Sequence, residues 1–502
     1  MSLECNIAKL NELEHKIHAY NHAMSVAVYD GATGAPVNSA PGRGETLGIL
    51  AEAAHNIFIN DETDKLLNEL AAHESELDDL TARRVKKLRK EYDLESKVPT
   101  DLLVEYSKVC SDADSVWHTA KLNDDFDSFE PYIKKIVELK IKIAKCYDPD
   151  RDPYDTWLDQ YEKGFTREVL DDYFAKIKEA LVPLVKKIGE NSHKVKDDIL
   201  FGHFPIVKQK ELSDYLLEIM GIDRDNCAID ETEHPFTDGF NKHDVRVTTN
   251  YHEDSAINSM YSVIHEGGHA IYELNSGDDL EYTCLAGGVS MGMHESQSRF
   301  YENIIGRSEE FITLVTPKLK ELFPAQFGDV TAHELYRAIN KSTPSLIRID
   351  ADEVTYSLHI MVRYEIEKLL FDGKIDTKDL PKVWNGMMKE YLGVDVPNNA
   401  QGVLQDTHWS GGMFGYFPSY SLGSAIGAQI LNTMNKEMDV KKLITDNKIP
   451  VIVEWLTEHI YKYGCMYEPS ELLEKCCGEK FDPSYYVKYL TEKFSAIYGF
   501  EA

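Results

Sequence analysis

Two histidines four residues apart, with a glutamate directly after the first, form the strongest chemical signal in this sequence: His265-Glu266-Gly267-Gly268-His269. On a helix, positions i and i+4 lie one turn apart on the same face. Two imidazoles placed this way can bind one zinc-type ion at about 2.0–2.1 Å each. Glu266, one position further round, can take a proton from an activated water without itself ligating the ion. A catalytic ion also needs a third protein ligand and a fourth position left to water. The segment MHESQSR (293–299) begins another helix and offers Glu295, 26 residues beyond His269. That separation fits a helix, a loop and a second helix packed back on the first. His294 is the alternative ligand. Neighbouring helical residues point about 100° apart, so only one of the two faces the ion. The His/His/Glu donor set favours Glu295.

Other groups of chemical interest surround this pair. HDVRVTT (243–249) alternates polar with β-branched apolar residues. This is the period of a strand, with Asp244, Arg246 and Thr248 on one face and Val245 and Val247 on the other. A lone strand in this position is expected to line the site. Arg246 and Arg348 are candidates for gripping a carboxylate with two parallel hydrogen bonds. Each could instead pair internally, Arg246 with Asp244 and Arg348 with Asp350 or Asp352. Residues 402–409 (GVLQDTHW) and 411–420 (GGMFGYFPSY) bring together Gln405, Asp406, His408, Trp409, Tyr416 and Tyr420. A donor from His408, Tyr416 or Tyr420 could stabilise an oxyanion.

The elements that must position these groups are helices. Segments 45–58, 62–92, 128–146, 166–190, 308–323, 331–340, 353–372 and 448–463 carry apolar residues at three-to-four spacing. Residues 254–275 (DSAINSMYSVIHEGGHAIYELN) form the helix of the histidine pair, with Asp254 or Ser255 as its cap. Gly267 and Gly268 cost that helix about 1 kcal/mol each against alanine, so close approach of another backbone or of substrate is expected there. No fixed-period repeat or low-complexity linker divides the chain, which reads as one catalytic unit over 1–502, with two lobes as its possible subdivision.

Composition narrows the function. The 502 residues are 43% hydrophobic, enough for a large core, and carry a net charge of −32. Such a surface repels phosphate backbones and anionic lipids, so neither nucleic acid nor membrane is an expected partner. The start, MSLECNIAKL, has no basic region followed by an apolar one, and no run of about 18 apolar residues occurs. Eight scattered cysteines form no CxxC pair and read as reduced thiols. The expected compartment is the cytosol.

The residues resemble the carboxypeptidase Taq family of metallocarboxypeptidases. Its signatures occur in order: HPF at 234–236, DxRxT at Asp244, Arg246 and Thr248, HExxH at 265–269, HESQS at 294–298, IRxxAD at 347–352 and GxxQDxHW at 402–409. YDGATGAP (29–36) is similar to a further segment, with Tyr29 in place of tryptophan. The resemblance implies a mainly α, two-lobed body with a deep central groove, like neurolysin and angiotensin-converting enzyme, and a small β element beside the active site. It implies release of single C-terminal residues from peptides with a free C-terminus, and a homodimer. One divalent ion per chain is expected, zinc first, with cobalt or manganese as alternatives. It adds His234 to Asp244, Arg246, Thr248 and Arg348 as residues expected around substrate, together with His408, Tyr416 and Tyr420. The competing readings are an oligopeptidase or dipeptidyl carboxypeptidase of similar fold, and a silent peptide-binding protein.

Overall fold

The computed structural model describes residues 2–501. It is mainly helical, and the expected helical segments fold as helices with shifted ends. The exception is 62–92, which breaks into two: α3 (Asp61–Ala72) and α4 (Asp79–Lys97). The break is written in caps. Asn60 accepts the Thr63 N–H, and Asp78 accepts the Thr81 N–H, so each side chain starts its own helix. An additional helix, α1 (Leu3–Ala32), precedes α2 (Ala40–Phe58), and Tyr29 lies in its last turn.

Helices α1 to α4 bury a satellite core of Leu10, Phe58, Leu66, Leu67, Leu70, Val85, Leu88 and Tyr92, separate from the main core. The buried Arg84 guanidinium of α4 pairs with Glu14 of α1 and also donates to Asn11.

The β element is larger than the lone strand expected. Three strands, β1 (Cys227–Glu231), β2 (Thr237–Asn241) and β3 (Asp244–Thr249), form a sheet in the order β1-β3-β2. β1 runs parallel to β3, and β2 antiparallel to it, with Asp238 opposite Arg246. Neither CAIDE nor TDGFN alternates cleanly enough to be read as a strand. Val245 and Val247 are buried as expected. Thr248, on the polar face with Asp244 and Arg246, is buried, and its hydroxyl lies 2.8 Å from the Phe236 nitrogen and 3.0 Å from the Phe236 oxygen. The hydroxyl therefore clasps the HPF backbone.

The helix of the histidine pair spans Ala256–Leu274 and packs on β2 and β3 on one side and on helix Met291–Arg299 on the other. Ser255 occupies its N-cap position without a side-chain capping bond. A π-helical turn, Phe300–Ile305, continues the Met291–Arg299 helix, which also packs extensively against helix Phe417–Met434. Among the described residues no helix is long and apolar enough to cross a membrane.

Replacing Arg84 with methionine strands the Glu14 carboxylate in the interior. The expected cost is about 3–5 kcal/mol, seen as faster amide hydrogen exchange across α1 and α4. Unchanged exchange there would mean that the pair does not hold these helices together.

Candidate active site

Three donor atoms converge where the two helices meet. His265, His269 and Glu295 each offer an atom within 4.8 Å of the others. Glu295 Oε2 lies 3.7 Å from His265 Nε2 and 3.6 Å from His269 Nε2. A tetrahedral ion with bonds of about 2.0–2.1 Å holds its donors about 3.4 Å apart, so these residues fit such an ion with little movement. Each imidazole uses its other nitrogen elsewhere: His265 Nδ1 on Glu302 at 2.9 Å, His269 Nδ1 on His294 Nδ1 at 2.7 Å. Both Nε2 atoms are thereby left for the shared space. Burial first, then the neighbouring His294, His265 and Arg299, holds His269 well below the ordinary histidine range and keeps it neutral, as a ligand must be.

Glycine permits this approach. A Cβ on Gly268 would meet Ser298 Cα at 2.8 Å and the Gln297 oxygen at 2.9 Å. One on Gly423 would meet Glu295 Cγ at 2.6 Å. The helix of Glu295 is thus clamped between two helix backbones, which meets the expectation of a close backbone approach at Gly268, whereas Gly267 faces the side chains of Met220 and Ile222.

The carboxylates are oriented by half-buried cations. Glu295 Oε1 receives Arg299 Nε at 2.7 Å, and Ser298 Oγ lies 3.1 Å from Oε2. Glu302 takes Arg299 at 2.9 Å and Arg307 at 3.2 Å. Burial would raise its carboxyl, but Arg299, His265 and Arg307 hold it well below the usual range. Glu266 is buried, and burial pushes it up against the opposing influence of His265 and Thr237. The Thr237 hydroxyl, at 2.7 Å from Glu266 Oε2 and 2.9 Å from its backbone oxygen, fixes the carboxyl beside the histidines.

The two arginines singled out from sequence have different fates. Arg246 spends its fork on Asp244, with two bonds of 2.9 Å, and lies over the rings of Phe240 and Tyr29. Arg348 pairs with Asp406, not with Asp350 or Asp352. Its Nε is 2.9 Å and its Nη2 2.8 Å from Asp406 Oδ1. Asp352 instead accepts the N–H groups of Val354 and Thr355. A second guanidinium, the fully buried Arg363, takes the other Asp406 oxygen at 2.6 and 2.8 Å and reaches Gln405. Two buried cations therefore share one carboxylate.

The aromatic residues join this cluster to the donors. Arg299 stacks over Tyr356, whose hydroxyl meets Arg348 Nη1 at 3.4 Å, and Arg348 lies over Tyr420. His408 Nε2 is 3.1 Å from the Tyr420 hydroxyl, and its ring stacks on Tyr416. Burial, with Arg348 and Arg363 acting against Asp406, pushes His408 down to about 4. His234 is exposed, three residues before β2 begins. A cavity of about 480 Å³ between α1, α2 and α4 lies apart from all of these groups.

Sequence reading gave no role to Thr237, Glu273, Arg299, Glu302, Arg307 or Arg363. Two signals were available. Glu273 continues the four-residue spacing of His265 and His269, and Arg299 and Glu302 fall at i+4 and i+7 from Glu295. Arg363, Arg307 and Thr237 carried no comparable signal.

The family model for carboxypeptidase Taq (M32) metallopeptidase matches residues 9–494. The chain is 40% identical to carboxypeptidase 1 of Bacillus subtilis over 488 residues, 97% of each chain. It is 35% identical to thermostable carboxypeptidase 1 of Pyrococcus furiosus, covering 95% of this chain and 96% of the other. The crystal structure of an M32 carboxypeptidase from Deinococcus radiodurans superposes with a TM-score of 0.96 at 31% identity, over 99% of this chain and 100% of that one. Metallocarboxypeptidase 1 of Trypanosoma cruzi gives 0.94 at 34%, over 98% and 100%.

Glu367 supplies a pH test of the loop that carries Tyr416. It is buried, and it accepts from Tyr154, Trp409 and the Gly415 N–H, each at 2.8 Å. Burial pushes it up to about 7 against these three bonds. The folded state therefore holds this proton more tightly than the unfolded chain between about pH 4.3 and 7. Wild-type stability, measured against Glu367→Gln by denaturant unfolding, is expected to fall as pH rises through that window. A flat or rising difference would contradict it.

Proposed function

This chain belongs to the carboxypeptidase Taq family of metallopeptidases, and on that premise we propose how its residues remove single C-terminal amino acids from peptides. It is a metallocarboxypeptidase, and the observation that carries the mechanism is the convergence of His265 Nε2, His269 Nε2 and Glu295 Oε2 beside Glu266. A divalent ion held by these three atoms would supply Lewis acidity to a water and to the scissile carbonyl. Glu266, oriented by Thr237, takes the proton from the attacking water. It then delivers that proton to the departing amine. His408, Tyr416 and Tyr420 supply the donors that steady negative charge on the carbonyl oxygen.

Arg348 holds the substrate carboxylate. Arg246 is already matched one to one with Asp244, whereas Arg348 and Arg363 share a single Asp406 and so leave one positive charge for an anion. Asp244 positions Arg246, Thr248 positions the HPF segment, and His234 lies beside the path of the peptide. Residues 1–502 act as one catalytic unit with a groove of the neurolysin and angiotensin-converting-enzyme kind. Zinc is the resident ion, because the His/His/Glu set suits it, although cobalt and manganese share these ligand preferences. The protein works as a homodimer in the cytosol, where its eight scattered cysteines, with no CxxC pair among them, suit a reducing compartment.

Two experiments test this reading. Mass spectrometry of a metal-loaded digest is expected to show single residues leaving a free-acid peptide stepwise while its C-terminal amide resists. Dipeptide release from both would instead indicate an oligopeptidase. Glu266→Gln is expected to retain its metal and to lose about 10²–10⁴ in kcat. Retained turnover would remove Glu266 as the base.

A further inference from the structure

His269 is tied, on the side away from the other donors, to two groups that the mechanism above does not use. We propose that His294 and Glu273 form a two-residue relay that fixes the tautomer and ring angle of His269, with Glu273 as the positioning residue at its end. The proposal rests on the reading of His269 as a metal ligand.

With both imidazoles neutral and Glu273 ionised, the hydrogen bonds permit one arrangement of protons. His269 Nδ1 and His294 Nδ1 are 2.7 Å apart, and His294 Nε2 is 2.6 Å from Glu273 Oε1. A carboxylate only accepts, so His294 Nε2 carries a proton and donates it to Glu273. His294 Nδ1 is then bare and accepts from His269 Nδ1–H. That leaves the lone pair of His269 on Nε2, the atom 3.6 Å from Glu295. The reverse order would put the bare His294 Nε2 against carboxylate oxygen and a proton on the ligating atom. Glu273 therefore sets the direction of the whole chain.

The surroundings are shaped to this relay. A Cβ on Gly288 would meet His294 Cδ2 at 2.4 Å, and one on Gly239, in β2, would meet Glu273 Cγ at 2.8 Å. A Cβ on Gly287, at φ +82°, would meet Glu273 Oε2 at 3.2 Å, and the Gly288 N–H donates to Oε1 at 3.2 Å. Tyr272 packs against the His294 ring. The two histidines thus receive their carboxylates differently. His265 meets Glu302 directly, and Glu302 is neutralised by Arg299 and Arg307. His269 meets Glu273 through an intervening imidazole, and no lysine or arginine among the described residues forms an ion pair with Glu273. An unneutralised carboxylate at the end of the relay holds the proton of His294 on Nε2.

The test is the divalent affinity of the full chain, measured with zinc against a chromophoric chelator and with cobalt by its visible spectrum. Glu273→Gln and His294→Leu are expected to weaken binding by about 10–100-fold, to shift the cobalt bands, and to leave the melting temperature of the metal-free protein within about 2 °C of wild type. His294→Asn is expected to recover part of the loss, since its amide oxygen can accept from His269 Nδ1–H. Affinities within twofold of wild type for both Glu273→Gln and His294→Leu would overturn the relay. A loss of affinity matched by a large drop in metal-free stability, with no recovery in His294→Asn, would overturn it in favour of packing alone. A His269→Ala variant that binds zinc as tightly as wild type would instead locate the failure in the ligand assignment on which the relay depends.

Discussion

The contact between the helix at Met291–Arg299 and the two helices that clamp it determines the geometry of everything else. Glu295 reaches the histidine pair only because Gly268 and Gly423 remove the side chains that would hold three backbones apart. The mid-helix glycines cost conformational entropy, and the return is a carboxylate set within 3.7 Å of two imidazoles on a different element. A side chain at either glycine would move Glu295, and with it Arg299 and the Glu302 link to His265. These side chains therefore behave as one mechanical unit.

Charge follows the same plan. The chain carries a net charge of −32, yet its interior gathers Arg299, Arg307, Arg348 and Arg363 around the site. Burying a cation is costly unless it is paired, and each of these meets a carboxylate: Glu295 and Glu302 for the first two, Asp406 for the others. The first group orients the carboxylates beside the histidine pair. The second has one cation more than it has anions. The network running from Glu295 through Arg299 and Tyr356 to Arg348 physically joins the two.

The sheet serves the site through its hydroxyls. Thr237 on β2 fixes Glu266, and Thr248 on β3 fastens the HPF segment that leads into β2. The strand at 243–249 was legible from its alternation, but β1 and β2 were not. Their residues do not alternate, because β2 is an edge strand with a bulge between Gly239 and Asn241 and β1 is largely exposed. The break between α3 and α4 was written in Asp78, which caps the start of α4. It was masked because the apolar spacing on both sides continues at a helical period.

By itself the sequence determined the helical class, the histidine pair on one helix face and the glutamate beside it, and it favoured Glu295, the neighbour of His294 whose carboxylate lies against both histidines. Those properties are local: helical geometry fixes which residues share a face within two turns. Only the tertiary structure decided that Arg348 pairs with Asp406, that Arg363 stands behind it and that Thr237 holds Glu266. Those partners lie 58, 43 and 29 residues apart along the chain. Pairings at such separations leave no period in the sequence, because they are set by which helices the glycines allow to touch.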